Sequence, residues 1–262
     1  MYNSKNTSTT SSTEDILLHL NLNSIVGNPK AKTSLQCLTS SYYEEKIAGK
    51  NPIFPRILLL GNSTKSYAHA IHNTLGNLKF TELSADFTNK GGDDITDILR
   101  TSNEFDTIYI SEAHNLSVYV QNILYKYLTC GEVEVVIDVI ERKKEIVKVA
   151  DVCLILGATT LQGLSRSLYK QFTHIYLNPY TKYELVEVLK QRCEWYGIGY
   201  TSEQVLEKIA EEASGRAGKA VRLLELARKF MVVSGKERIS LVHVGQVLTN
   251  WGFSGSNNSV DQ

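Results

Sequence analysis

The residues with the clearest chemical potential lie in the stretch LGNSTKSYAHAIHNTLG, which follows a short apolar run. Gly61 and the neighbouring Lys65 and Ser66 stand where a strand is predicted to lead into a helix. A phosphate-binding loop at such a place needs the pattern G-x-x-x-x-G-K-[ST]. Its backbone N–H groups surround the phosphates, its lysine reaches the β and γ oxygens, and its hydroxyl binds magnesium. These residues are therefore the first candidates for a nucleotide site.

The spacing of these residues does not fit the pattern in either register. Counting forward from Gly61 places Tyr67 where the lysine should be. Counting back from Lys65 and Ser66 places Thr64 where the second glycine should be. The sequence therefore does not predict an ordinary ATP site, and it favours Lys65 as a solvated side chain at the start of a helix.

The elements around this stretch alternate between strand-like and helical patterns. Short apolar runs predict strands at Pro55 to Leu60, Lys79 to Ser84, Phe105 to Ile110 and Val152 to Leu156. Helical patterns lie between them, at residues 29–48, 65–75, 92–102 and 117–129. Short β runs separated by helices are typical of an α/β layer structure with a mostly parallel sheet.

The pattern changes between Glu132 and Val149. The segments VEVVIDVI and EIVKV are rich in β-forming residues, and the charged run ERKK lies between them. This arrangement predicts a β-hairpin inserted between a helix and the next core strand, at about 132–149. Two ordinary edge strands are the alternative interpretation.

From Thr181 onward the pattern predicts helices and no further strands. The helices are expected at residues 181–196, 202–213, 217–234 and 240–250. Thr181 can cap the first of them, and Glu184 three residues later completes a capping box. Ser202 opens the second helix and Gly215 closes it.

These patterns divide the chain into four parts. Residues 1–13 and 253–262 are polar and are predicted to be disordered tails. Residues 14–178 are predicted to form an α/β domain, and residues 179–252 a helical lid domain. Asn178-Pro179 is a natural joint between the two domains, because the residue before a proline is biased away from helix.

Composition excludes several classes of protein. Lysine plus arginine and aspartate plus glutamate number 28 each, so the zero balance gives no global argument for binding nucleic acid. The histidines show no metal-ligand spacing. No apolar run approaches the roughly 18 residues that a membrane helix needs. The four cysteines are scattered without a CxxC pair, which predicts a cytoplasmic protein without disulfides or zinc.

Several segments carry a resemblance to one family. SIVGNPKAKTSL (24–35) is similar to the box that opens its ATPase domain, ILLLG to the strand before its phosphate loop, and IYISEAHNLSVYVQNILYKYL to its acidic strand-end segment. LILGATT resembles its sensor-1 strand, GLSRSLYKQF its arginine-finger segment, and residues 183–248 its lid. The family is that of RuvB, the Holliday-junction branch-migration motor among the AAA+ ATPases. The resemblance covers roughly residues 22–250.

The resemblance implies an AAA+ P-loop-type parallel-sheet domain followed by a small all-α lid domain. The chain ends before the place of the family's C-terminal winged-helix DNA-binding domain, which we therefore expect to be missing. The family's cofactor would be ATP or ADP with magnesium. Candidate contacts to it, on this resemblance and on the phosphate-loop pattern, are Asn28, Gly61, Lys65, Ser66 and Arg216.

The family pattern also places residues of the hydrolytic machinery, and this chain departs from it. The acidic strand end should present Asp-Glu to hold magnesium and orient water, but the pair here is Ser111-Glu112. The sensor-1 residue Thr159 is present. Glu112 is interpreted as a relic or as an acid at a helix N-terminus. We expect Ser111, Glu112 and Thr159 to be vestigial and no cofactor to be required.

Two arginines of the family pattern are displaced as well. Tyr169 and Gln171 stand at the positions of the arginine that would act on a neighbouring subunit's nucleotide, and neither has a guanidinium group. The lid pattern G-x-x-R places Gly218 at its arginine, with Arg216 two residues away. Joint loss of these groups indicates that hydrolysis is not the task of this chain.

The predicted hairpin is the favoured binding surface. Its charged tip, formed by Glu141, Arg142, Lys143 and Lys144, is expected to bind a protein partner, because the family's hairpin meets the protein that holds the four-way junction. An AAA+ ring is the other partner that the resemblance implies. DNA contact is expected to be indirect or weak.

Three functions follow from these observations. The leading hypothesis is a hydrolysis-deficient RuvB-like protein that acts as a structural or regulatory subunit in DNA recombination, repair or replication. The first alternative is a divergent but active branch-migration ATPase or helicase. The second is a non-catalytic clamp-loader subunit, similar to delta-prime.

Overall fold

The computed structural model describes residue 17 and residues 19–90, 92–138 and 143–250. Within these ranges it describes no side chain at positions 87, 89, 90, 92–94, 136–138 and 143. The predicted tails at 1–13 and 253–262 lie outside the described residues, as do Glu141 and Arg142 of the predicted hairpin tip. The chain divides into two compact units, of which one is Leu20–Asn178 and the other contains the described residues from Pro179 onward.

The first unit alternates between strands and helices. Its strands are β1 (Ile57–Gly61), β2 (Lys79–Ser84), β3 (Asp106–Ser111), β4 (Glu132–Asp138), β5 (Lys143–Lys148), β6 (Cys153–Ala158) and β7 (Thr173–Leu177). Its helices are α1 (Pro29–Ile47), α2 (Thr64–Leu75), α3 (Ala85–Lys90), α4 (Gly92–Thr101), α5 (Val118–Cys130) and α6 (Arg166–Tyr169). A short 3₁₀ helix, Ala113–Asn115, precedes α5.

Five of these strands form one parallel sheet in the order β2-β3-β6-β1-β7. The three central strands are almost completely buried, and every residue of β6 is buried. Such apolar runs suit strands that helices cover on both faces. The predicted α/β class with a parallel sheet is therefore confirmed.

The sequence did not reveal four elements of this unit, namely β7, α3, α6 and the 3₁₀ helix. Strand β7 reads THIYL, in which only Ile175 and Leu177 are buried, so it lacks the continuous apolar run of the central strands. It lies at the edge of the sheet and pairs with one neighbour, β1. Helix α3 has only six residues, which is too short to show an apolar period.

Strands β4 and β5 pair antiparallel and form a separate two-stranded sheet. Val133 points into the main hydrophobic core and is 1% exposed. Glu134 and Ile146 are directly paired across the two strands. Both are exposed, and Glu134 binds Lys126 of α5 at 2.7 Å and Lys144 of β5 at 3.4 Å. One face of this hairpin thus packs in part against the core, and the other faces solvent.

The second unit is largely helical. It contains α7 (Lys182–Tyr196), α8 (Glu203–Ala213), α9 (Ala217–Val233) and α10 (Leu241–Asn250), with two short strands, β8 (Gly199–Tyr200) and β9 (Arg238–Ile239). The predicted capping box is confirmed, because Thr181 accepts from the Glu184 N–H and the Glu184 carboxylate accepts from the Thr181 N–H. The prediction that strands stop at Thr181 is wrong. Strands β8 and β9 pair in parallel, but each has two residues and leaves no periodic signal.

Two further properties concern the whole described chain. No described helix is long and apolar enough to cross a membrane. Cys153 is a buried free thiol in β6, and burial raises its pKa to about 12, so it remains protonated and unreactive.

Candidate functional site

The candidate site lies where β1, β3 and β6 end, next to the start of α2. These three strands are parallel, so their last residues, Gly61, Ser111 and Ala158, lie side by side at the carboxyl end of the sheet. Ligands of open α/β sheets bind outside the carboxyl ends of the strands, where helix N-termini meet them. The structure thus brings the predicted phosphate-loop, acidic and sensor-1 segments to one place.

The connection between β1 and α2 is very short. Only Asn62 and Ser63 separate Gly61 from Thr64, the first residue of the helix. Ser63 adopts the left-handed conformation with φ of 65°. The phosphate-loop pattern needs four residues between its glycines so that successive N–H groups can surround the phosphates. A turn of two residues does not provide that loop.

Gly61 has a packing role in this turn. A Cβ atom at this position would lie 2.1 Å from the carbonyl oxygen of Leu177 in β7, and φ of Gly61 is +128°. Side chains are rarely found at such a φ, and no Cβ approaches a backbone oxygen so closely. The close pairing of β1 with β7 therefore accounts for this glycine without a phosphate.

Lys65 and Tyr67, in the first turn of α2, have partners within the protein. Lys65 Nζ lies 2.6 Å from Glu82 Oε2 of β2, and both side chains are partly exposed. Tyr67, at the lysine position counted from Gly61, is completely buried and donates to the carbonyl of Gly27 at 3.0 Å. Ser66 lies beside Lys65 in this turn, partly exposed. Lys65 and Tyr67 thus each have a partner within the protein.

Glu112 of the acidic segment and Thr159 of the sensor-1 segment both lie close to the side chain of His114. Glu112 Oε2 lies 3.4 Å from His114 Nε2, and Thr159 Oγ1 lies 3.5 Å from the same nitrogen. Glu112 occupies the N-cap of the 3₁₀ helix in a left-handed conformation, but its side chain makes no capping hydrogen bond. The Ser111 hydroxyl donates to the carbonyl of Leu83 at 3.1 Å. His114 Nδ1 is buried and has no hydrogen-bond partner among the described residues.

Tyr109 is the residue of this region that sequence reasoning missed. It is 1% exposed, and its hydroxyl lies 2.8 Å from Thr64 Oγ1 at the start of α2. Burial raises its pKa to about 12, so the phenol stays protonated and can donate. A signal did exist, because Tyr109 precedes Ser111 by two residues in β3 and therefore points to the same face of the sheet.

An aromatic cluster lines the neighbouring part of this face. Phe80 of β2 stacks on His69 of α2, with ring centroids 3.9 Å apart, and lies 6.2 Å from the ring of Tyr109. Burial, and then the charge of Lys65, lower the pKa of His69 to about 4, so this imidazole is neutral at physiological pH. The described residues contain no cluster of three or more side chains that would hold a metal ion.

The remaining candidates have separate positions. Asn28 is the left-handed N-cap of α1, and its side chain makes two hydrogen bonds to the backbone of Asn178, one as acceptor at 2.7 Å and one as donor at 3.2 Å. Arg216 belongs to the second unit, where it is exposed and precedes α9 without a side-chain capping bond. Of the predicted hairpin tip, Lys144 is described, and it binds Glu134.

Comparison with known proteins identifies the family of this chain. A family model described as the Holliday junction DNA helicase RuvB P-loop domain matches residues 20–176, which is more than half of the chain. The chain belongs to the RuvB family. The RuvB-type AAA+ fold that the sequence motifs indicate is thereby confirmed.

The RuvB relatives are distant but extend over most of the chain. The Holliday junction branch migration complex subunit RuvB of Campylobacter fetus is 29% identical over 230 residues, covering 87% of this chain and 65% of the relative. The corresponding subunit of Aliarcobacter butzleri is 28% identical over 239 residues, covering 90% of this chain and 68% of the relative. This chain thus spans about two thirds of the length of these RuvB proteins.

Solved RuvB structures have the same fold. The structure described as the Thermotoga maritima RuvB Holliday junction branch migration motor superposes with a TM-score of 0.71 at 23% identity, covering 89% of this chain and 72% of that one. A substituted form of the same protein gives a TM-score of 0.73 at 23% identity, covering 89% and 73%. At this identity the likeness shows the fold alone.

Proposed function

We propose that this RuvB-family chain is a hydrolysis-deficient subunit that acts through protein contacts in DNA recombination, repair or replication. In this proposal residues 14–178 form its AAA+ domain and residues 179–252 its lid domain. The observation that carries the proposal is the two-residue turn between Gly61 and Thr64. Phosphoryl transfer depends almost entirely on positioning the phosphates and neutralising their charge, and this turn supplies no loop to do so.

The side chains near the turn support the same conclusion. Lys65 is engaged by Glu82, so its charge is balanced within the protein. Magnesium prefers carboxylate and other oxygen ligands, but a serine replaces the first acid, and its hydroxyl is bound to a backbone carbonyl. Glu112 retains a carboxylate, but His114 lies against it. We therefore propose that the chain performs its role without ATP, ADP or magnesium.

The exposed face of the β4–β5 hairpin is the proposed partner surface. Glu134 binds both Lys126 and Lys144, and Lys126 holds the pKa of the Glu134 carboxyl below its usual range. Lysines that are already paired must lose their partner before they can bind phosphates, which disfavours DNA as the ligand. Ile146, paired with Glu134 across the strands, is 59% exposed. A surface of paired charges with an exposed isoleucine suits a protein partner.

The relatives' names suggest the kind of partner. The curated relatives are subunits of a Holliday junction branch migration complex. We propose that this chain assembles with another subunit of such a complex or with an AAA+ ring, and that DNA contact is indirect.

Affinity capture with the tagged full chain tests this function. We expect the chain to capture junction-processing proteins or AAA+ subunits other than those of a clamp loader. We expect Ile146→Glu to abolish the capture, because it places a charge where the partner buries an apolar side chain. Ile47→Glu is the matched control, since Ile47 is 85% exposed at the end of α1. Mass spectrometry of the captured proteins is the readout.

Three results would contradict the proposal. The first is capture of clamp-loader subunits in place of junction-processing proteins. The second is capture that Ile146→Glu leaves unchanged. The third is no captured partner at all, with the folded chain present on the resin.

A further inference from the structure

The hydroxyls of Tyr109 and Thr64 lie next to Gly157 of β6 at the start of α2. The hydroxyls of Tyr109 and Thr64 are hydrogen-bonded to each other at 2.8 Å. Both lie above Gly157 of β6, since a Cβ atom there would be 2.7 Å from the Tyr109 hydroxyl and 2.8 Å from Thr64 Oγ1. Glycine is therefore required at this point of β6 for the pair to form. One hydrogen bond thus joins β3 to α2 across a space that β6 leaves open.

The turn before α2 has no side-chain cap at its N-cap residue. Ser63 is a left-handed N-cap residue whose side chain makes no capping hydrogen bond. A non-glycine residue in this conformation costs about 1–2 kcal/mol, so it persists only where its surroundings hold it. Thr64 is the first helical residue after Ser63, and its hydroxyl is hydrogen-bonded to that of the buried Tyr109. The Tyr109–Thr64 pair therefore lies where support for the turn is needed.

We propose that the Tyr109–Thr64 hydrogen bond is an internal lock that fixes the start of α2 in one conformation without a nucleotide. In a phosphate-loop protein a bound phosphate holds this helix N-terminus. Here Tyr109 is a positioning residue that acts through Thr64. The lock deepens, and rests on, the proposed function, because a subunit that binds no nucleotide needs another means of ordering this end of the sheet.

The lock has a consequence for regulation. The residues at the carboxyl ends of β1, β3 and β6 keep one conformation whether ATP is present or absent. Glu112, His114 and Thr159 lie at this same end of the sheet. The proposed subunit therefore favours one arrangement without a nucleotide, and partners bind it without a nucleotide-dependent change.

Amide hydrogen exchange of the full chain, followed by mass spectrometry with residue-level resolution, tests the lock. The readout is the exchange rate of amides 67–70, which close the first turn of α2. We expect Tyr109→Phe and Thr64→Val each to speed this exchange about tenfold, and the double variant to do no more. Thr64→Ser keeps the hydroxyl and is expected to exchange like the wild type.

Tyr127→Phe is the matched control. Tyr127 is also a buried tyrosine, and its hydroxyl accepts from the N–H of Val152 at 2.9 Å and donates to the carbonyl of Ala150 at 3.2 Å. Its loss should speed exchange at Val152 and leave amides 67–70 unchanged. Equal acceleration at Val152 and at amides 67–70 in Tyr109→Phe would show a general loss of stability and would overturn the lock.

The lock is overturned if Tyr109→Phe and Thr64→Val exchange at amides 67–70 within about twofold of the wild type. It is also overturned if Tyr127→Phe changes those amides as much as Tyr109→Phe does. Magnesium ATP is added in a separate arm. Protection of amides 67–70 by ATP in the wild type would contradict the proposed function, while the hydroxyl variants alone decide whether the hydrogen bond fixes the turn.

Discussion

Replacing Gly61 with alanine is expected to lower the free energy of unfolding by about 3 kcal/mol or more. Two costs combine in this variant. The φ of +128° is nearly restricted to glycine, and the added Cβ would lie 2.1 Å from the Leu177 carbonyl oxygen. Because that oxygen belongs to the neighbouring strand β7, relief requires the two strands to separate locally.

Urea denaturation measures this effect, with Gly49→Ala as the matched control. Gly49 also has a positive φ, of +73°, but a Cβ there would meet no atom within 4 Å. In this control the free energy of unfolding should fall by only about 1 kcal/mol, which is the cost of the left-handed conformation for alanine. Equal losses for the two variants would contradict the packing role of Gly61. They would reopen the interpretation that this glycine was retained for phosphate binding.

Replacing Asn28 with alanine is expected to lower the free energy of unfolding by about 2–3 kcal/mol. The side chain of Asn28 is buried and makes two hydrogen bonds to the backbone of Asn178, just after β7. Its loss leaves the N–H of Asn178 without this acceptor. Alanine also fits poorly at φ of 50°, which asparagine tolerates well.

Asn28→Gly separates these two contributions. Glycine accepts the left-handed conformation but makes no side-chain hydrogen bond. The free energy of unfolding of Asn28→Gly should therefore be about 1 kcal/mol higher than that of Asn28→Ala. Asn23→Ala is the control. Asn23 is an exposed residue whose side chain accepts a hydrogen bond from Gln36, and its replacement should change stability by no more than about 0.5 kcal/mol. Equal stability of Asn28→Ala and Asn23→Ala would contradict the structural role of Asn28.

Much of the fold follows from local patterns in the sequence. The buried strands β1, β3 and β6 read as continuous apolar runs, and the helices of the second unit show clear apolar periods. The Thr181 capping box is a purely local signal. Edge strand β7 and the two-residue strands β8 and β9 were missed, because pairing with distant residues defines them.

The candidate site was predictable in a different way. Counting residues from Gly61 showed that no phosphate-loop register fits, and that count concerns one short segment. The sequence could not show which side chains pack beside the start of α2. Tyr109, Thr64 and Gly157 are far apart in the chain and meet only because β3, β6 and α2 pack together. The same holds for the contact of His114 with Thr159.

We propose that this RuvB-family chain does not hydrolyse ATP, and steady-state phosphate release measures whether it does. The purified full chain is assayed with magnesium ATP, with and without four-way junction DNA, beside Glu112→Gln and Lys65→Ala. We predict equal background rates for all three proteins, because the proposed subunit does not use either side chain for hydrolysis. Faster phosphate release by the wild type than by Glu112→Gln would contradict the account.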